Sequence, residues 1–332
     1  MTPSPGRFEA LLADGTFVVT AEIDPPDSAD PSEVLRRAAV FDGAVDAINA
    51  TDGSGAHCHL SSLSVCVILL RAGYTPILQM SCRDRNRIAF QGDLLGAAAL
   101  GIRNVLCLTG DGVQVGDHPG AKPVFDLDSI ALLDLARTLR DERRFLSGRP
   151  IKVPPALFLG GAENPFAPPI AMRAARVGKK VAAGARFIQL QYCFDLPVLR
   201  RFLAGVGNQG LLDGPDRVHV LAGVGPLASA RTARWIRSNV PGVHIPDAVI
   251  DRLERAADPK AEGRALCTEL VAAMRELPEL SGVHLMAHRQ NAAVADIVRA
   301  SGVLGGRQPL TRQRPAAPTD TFSHPPEAEQ PA

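Results

Sequence analysis

Eight short apolar runs, alternating with stretches of helical spacing, constrain this chain more than any other feature. They are Phe17–Glu22, Val45–Thr51, Pro76–Ser81, Asn104–Thr109, Ala156–Gly160, Phe187–Gln191, Val218–Ala222 and Val283–Ala287. Helix-like segments follow most of them, for example Pro31–Phe41, Asn86–Leu100 and Ile170–Ala183. A continuously apolar strand suits a sheet buried on both faces, which means parallel strands covered by helices. Eight such units in ~290 residues fit a (β/α)8 barrel, and an open doubly wound sheet is the competing architecture. No interior stretch has the composition of a linker, so one barrel is expected over residues 1–304. Residues 305–332, rich in Pro, Gln and Thr, are expected to form a disordered tail.

Composition narrows the function. Lys plus Arg is 36 against 35 for Asp plus Glu, a formal net charge of +1. That balance argues against nucleic acid and against an anionic membrane surface. The longest clean apolar run, Ser64 to Leu70, is far shorter than a membrane span, and residues 1–16 lack a signal pattern. A cytoplasmic protein is expected. Six cysteines, none in a CxxC pair, are expected to be reduced and mostly buried. His57-Cys58-His59 has no second pair at finger spacing, so it is assigned to a loop and no metal is expected.

Barrel chemistry gathers where strands end. Here the strand ends are polar: Glu22, Thr51-Asp52, Gln79 with Ser81, Thr109-Gly110-Asp111, Gly160 to Asn164, and Gln189 with Gln191. Each alone could cap or turn. Six in a row favour a catalytic mouth. Arg83-Asp84-Arg85-Asn86-Arg87 is assigned to a helix start instead, with Asp84 or Asn86 as N-cap and the arginines exposed.

These residues resemble the methylenetetrahydrofolate reductase family from about Phe17 to Val303. The marks are Ala21-Glu22-Ile23-Asp24-Pro25-Pro26, Leu108-Thr109-Gly110-Asp111, Lys180 with Ala183-Gly184-Ala185, and Gln191 with Phe194-Asp195. Cys82-Arg83-Asp84-Arg85-Asn86 and Gly161-Ala162-Glu163-Asn164-Pro165 are similar to its compact bacterial branch. The resemblance implies a barrel, FAD, NADH or NADPH as donor, and a folate substrate. It implies Glu22, Asp111 and Gln191 as catalytic residues. For the cofactor it implies Thr51, Asp52, Gln79, Thr109, Gly110, Asp111, Asn164, Arg173, Arg176 and Lys180. For folate it implies Asp111, Gln191, Arg289 and Gln290.

Chemistry supports several of these roles. Opening the methylene bridge expels an amine, which leaves better when an acid protonates it, and Glu22 ends an apolar strand where burial disfavours its charged form. Asp24 points to the opposite face and is assigned to structure. A carboxylate such as Asp111 can accept from pterin NH groups, and the amide of Gln191 can both donate and accept. Arg173, Arg176 and Lys180 share one helix face, suited to a diphosphate, with Lys179 off it. The plainer assignments are a helix cap for Glu22, a turn for Asp111 and a solvated basic face. The chain departs from the family pattern at Gln79, Thr109, Leu190 and Gln290, where histidine, arginine, threonine and arginine are usual. A flavin-free pterin-binding barrel such as a methyltransferase, and a non-catalytic subunit on a reductase scaffold, are the competing functions. The sequence sets neither the direction of the reaction nor whether a homo-oligomer forms.

Overall fold

A computed structural model describes residues 5–240 and 242–309. Its eight strands are β1 (Val18–Ile23), β2 (Ala47–Ala50), β3 (Pro76–Ser81), β4 (Asn104–Leu108), β5 (Phe158–Glu163), β6 (Phe187–Tyr192), β7 (His219–Val224) and β8 (Gly282–Leu285). All pair in parallel, and β8 returns to β1 with Val18 opposite Gly282, so the sheet closes in chain order. This is the expected (β/α)8 barrel. The largest displacement from the sequence assignment is at β5, which runs to Glu163. Its Gly160-Gly161-Ala162 segment lacks the β-branched residues that mark a strand.

Inside the barrel, the N-terminal end is packed with apolar side chains. The helix Arg7–Ala13 precedes β1 and inserts Phe8 and Leu12 among Val18, Ile77, Phe158, Phe187 and Leu221. Phe8 meets Phe158 and Phe187 edge-on at 6.0 and 5.4 Å, and those two rings stack at 5.2 Å. Gly160 makes room for this cluster, since a Cβ there would lie 2.2 Å from the Phe187 ring.

Helix Arg87–Ala99 starts where the sequence suggested, with Asn86 Oδ1 accepting from the Ile88 and Ala89 NH groups at 3.0 and 3.1 Å. The arginines before it correct the expectation of an exposed run. Arg83 is buried, donating to both oxygens of Asp84 and to the Gly53 carbonyl. Arg85 is largely buried and pairs with Asp52 at 2.7 Å and Asp93 at 3.1 Å. Their charges are spent between loops, tying the end of β2 to the end of β3. Five cysteines are buried and Cys58 is exposed, all as free thiols. Burial pushes the Cys82 and Cys267 thiols up to about 12. Among the described residues, no helix is long and apolar enough to cross a membrane.

The first part of the expected tail is fastened. Arg307 donates to both oxygens of Asp46 at 2.7 Å and to the Phe17 carbonyl. The remainder of that segment, 310–332, lies outside the described residues.

Candidate active site

At the C-terminal ends of the strands lies a cavity of about 320 Å³. Its lining brings together Glu22, Gln79, Thr109, Asn164, Arg176, Lys180 and Gln191. The other residues singled out from the sequence, Thr51, Asp52, Gly110, Asp111, Arg173, Arg289 and Gln290, do not line it. Alternation along a strand explains the main pattern, because residues two apart share a face and strand-end polar groups turn inward together.

Glu22 is the last inward residue of β1, and its side chain keeps 26% exposure. Below it the barrel interior carries a polar layer where branched apolar residues are usual. Asn49, Gln189, Thr20 and His284 are all buried there. Asn49 Nδ2 donates to Gln189 Oε1 at 2.7 Å, and Gln189 Nε2 lies 3.2 Å from Asn49 Oδ1 and 3.3 Å from Thr20 Oγ1. Thr20 Oγ1 is 2.9 Å from His284 Nδ1, and His284 Nε2 is 3.4 Å from Glu22 Oε2. Of these four, only Gln189 belongs to the polar strand ends legible in the sequence; Thr20, Asn49 and His284 do not. Thr20 and Asn49 stand two positions before the polar strand ends Glu22 and Thr51, which is a signal in the sequence, whereas His284 stands two before Met286 and carries none.

The opposite wall is cationic. Glu163 ends β5 with its side chain 3% exposed, and three cations of the helix Arg173–Ala182 converge on it. Lys180 Nζ is 2.8 Å away, and Arg173 and Arg176 each approach to 3.4 Å. Desolvation pushes the Lys180 amine below its usual range, against the pull of Glu163. Three cations against one carboxylate leave this wall positive by two charges. Arg176 is the most open, with 43% of its side chain exposed. Lys180, expected on a face available to a diphosphate, is instead buried against Glu163 and the Ala162 carbonyl.

Around the rim, Asp52 accepts from the Ser81 NH at 2.8 Å and from Arg85, which makes it an anchor between loops. Thr51 Oγ1 lies 3.4 Å from the Ile23 carbonyl. Thr109 Oγ1 accepts from the Ser129 NH at 3.2 Å. Gly110 has φ +88°, a turn that a side chain would strain, and a Cβ there would meet Ser81 Cβ at 3.0 Å. Asp111 is exposed, and its Oδ2 accepts from the Gly55 NH at 3.2 Å. Asp24, assigned to structure, lies 3.4 Å from Thr51 Oγ1. Arg289 is exposed with φ +56°, and Gln290 donates to the Pro226 carbonyl while its Oε1 is buried without a hydrogen-bond partner.

A flavin dinucleotide needs a cationic edge for its diphosphate and polar groups beside its ring. The wall at Glu163 has the spare charge. Arg176 Nε makes no hydrogen bond and is held only by its 3.4 Å ion pair with Glu163, which leaves the rest of this guanidinium open to an anion. The residues present fit such a group.

Residues 7–302 match the family model described as methylenetetrahydrofolate reductase. A probable methylenetetrahydrofolate reductase (NADPH) of Caenorhabditis elegans is 23% identical over 248 residues, covering 73% of this chain. The chain spans about a third of that relative's length, 35%. Among solved structures, a Clostridium thermocellum protein reported to bind two copies of 5-methyl-5,6,7,8-tetrahydrofolic acid superposes with TM-score 0.62 at 12% identity. That match covers 87% of this chain and 98% of the other. The EDTA monooxygenase of Chelativorans sp. BNC1 superposes with TM-score 0.55 at 12% identity, covering 90% and 96%. At such identities these two share the fold.

Proposed function

The chain belongs to the methylenetetrahydrofolate reductase family, and from that premise we propose that it interconverts 5,10-methylenetetrahydrofolate and 5-methyltetrahydrofolate. FAD is the proposed bound cofactor and NADH or NADPH the donor. One observation carries the proposal: Glu22 opens into the same cavity as Gln191, Gln79 and the cationic wall of Arg176 and Lys180. A carboxyl acid, a two-way amide and an anion-binding wall are what the chemistry requires together.

The residues divide the work. Glu22 gives the proton of its carboxyl to the bridging amine nitrogen, whose C–N bond breaks with the electron pair going to nitrogen. That opens the five-membered ring to an iminium carbon able to accept hydride. Gln191 donates and accepts at the substrate ring. Asp111 sits on the adjacent rim and takes the pterin NH groups, exchanging its contact with the Gly55 NH for them. Arg289 is the proposed partner of the folate carboxylates, with Gln290 beside it. Arg176 holds the cofactor diphosphate, assisted by Arg173, while Lys180 and Glu163 fix the wall behind it. Thr109, Gly110, Gln79, Asn164, Thr51 and Asp52 complete the strand-end bed. When bound, the flavin supplies the two-electron carrier between nicotinamide and folate.

Glu22→Gln tests this. It keeps size and hydrogen bonding but has no proton to give. Reoxidation of reduced enzyme by methylenetetrahydrofolate should slow by roughly 10²–10⁴-fold, the usual share of a general acid. Reduction by the nicotinamide should change by less than about tenfold. Stopped-flow flavin absorbance follows both steps. Equal slowing of both would remove the acid role. Folded protein that neither retains nor takes up FAD would favour the flavin-free alternative.

A further inference from the structure

A barrel strand turns a side chain into the interior at every second position. On β7 that pattern stops at the mouth. Leu221 packs into the apolar floor, but the next two inward positions are Gly223 and Gly225. Neighbouring strands lend the missing wall. From β8, the Met286 side chain crosses to β7, where a Cβ on Gly223 would lie 2.6 Å from its Cε. From β6, the Tyr192 ring reaches over Gly225, whose Cβ would lie 2.9 Å from Tyr192 Cε1. The Tyr192 hydroxyl donates to the Met286 carbonyl at 2.7 Å, and the Met286 NH donates to the Val224 carbonyl at 2.9 Å. A Cβ on Gly225 would stand 2.1 Å from that Met286 carbonyl oxygen, so glycine there is what allows the fastening. The main chain at Met286 is fixed, while its side chain, unbranched and freely rotating, lines the cavity.

Its polar neighbours in the lining are held. Gln191 Oε1 accepts from the Tyr192 NH at 2.9 Å, Gln189 is paired with Asn49, and Lys180 with Glu163. The inference rests on the proposed reaction, which brings two rings of different size to one flavin: the single ring of the nicotinamide and the fused rings of the pterin. A cavity of about 320 Å³ does not hold both beside a flavin, so they come in turn. We propose that Met286 is a specificity-determining residue that fits the cavity to each ring. Its thioether lies back on Gly223 for the wider pterin and swings in against the narrower nicotinamide. An unbranched, polarisable chain moves between staggered rotamers and packs on either ring edge. Leucine fills a similar volume but is stiffer, so adaptability, not bulk, is what methionine brings to this position.

Changing the size of this side chain tests the proposal, because the two ligands should respond in opposite directions. Stopped-flow flavin reduction at varied NADH or NADPH, and reoxidation at varied methylenetetrahydrofolate, give an apparent dissociation constant for each. Met286→Phe narrows the cavity and should weaken folate binding by about tenfold, with the nicotinamide within about threefold. Met286→Ala removes the part that swings in and should weaken the nicotinamide by about tenfold, with folate within about threefold. Met286→Leu should weaken one of the two by more than about threefold, whereas a mere filler would tolerate a swap that conserves volume. Carbon-13 NMR of labelled methionine methyls gives a second readout on the native protein. In fully reduced enzyme neither NADH nor 5-methyltetrahydrofolate has an acceptor for its hydride, so both bind without reacting. The Met286 methyl, identified by its loss in Met286→Leu, should take a different shift with each. Equal changes for both ligands across the three variants, or a Met286 methyl that both ligands shift alike, would overturn the proposal. Native protein whose flavin is neither reduced by a nicotinamide nor reoxidised by methylenetetrahydrofolate would instead overturn the proposed function, and this inference with it.

Discussion

Glu163 holds a buried carboxylate among three cations, and removing it separates two functions that the wall combines. Glu163→Gln strands Lys180, whose side chain is only 3% exposed, without a counter-charge. A buried ion pair broken on one side typically costs about 3–5 kcal/mol, and urea unfolding should show a loss of that size. Arg176→Glu should behave differently, because the half-exposed guanidinium is not needed to neutralise the core. It should leave the unfolding midpoint nearly unchanged and weaken FAD retention by about 10- to 100-fold, the worth of one or two charge-assisted contacts. Unchanged FAD affinity in a fluorescence titration would remove Arg176 from the diphosphate site. The sequence showed that these cations share a helix face, since that follows from helical spacing alone. It did not show that Lys180 is spent on Glu163, because that contact joins a strand end to a helix 17 residues later.

At the scale of elements, the eight strands were legible because each is buried on both faces and so reads as an unbroken apolar run. The inward ring at the mouth was legible for a related reason: period-two alternation fixes which strand-end residues turn in together. Two elements were not legible. The helix Arg7–Ala13 is only seven residues long, too short for its periodicity to stand out, and its role is visible only once the barrel closes above it. The polar layer of Thr20, Asn49, Gln189 and His284 is likewise a product of closure, joining β1, β2, β6 and β8 across the interior. The helix makes a direct prediction. Phe8 is fully buried between Phe158 and Phe187, so Phe8→Ala should destabilise the protein by about 3–5 kcal/mol through lost burial and an unfilled cavity. Urea denaturation followed by far-UV circular dichroism measures it. A loss below about 1 kcal/mol would mean that the barrel floor closes without this helix.

For the molecule as a whole, the barrel separates what holds it together from what it does. The apolar floor and the proposed chemistry occupy opposite ends of the same eight strands, as in barrel enzymes generally. The chain beyond the last helix reaches back to the floor end. Arg307 binds Asp46, whose side chain is 1% exposed and which also accepts from the Val19 NH at 2.8 Å, just inside β1. We therefore propose that the folded unit extends through Arg307, a few residues past the boundary at 304 expected from composition. Arg307→Ala should cost about 2–4 kcal/mol, because the buried Asp46 carboxylate loses its bidentate partner while the residual 28% exposure of Arg307 softens the loss. A chain cut after Leu304 should lose about the same, and the two changes together should not add. Both variants should leave the two flavin half-reactions within about twofold of native well below the melting temperature. Glu22→Gln should show the reverse, with normal unfolding and a slowed folate step. If Arg307→Ala slows reoxidation by methylenetetrahydrofolate as Glu22→Gln does, floor and mouth are coupled, and the separation fails.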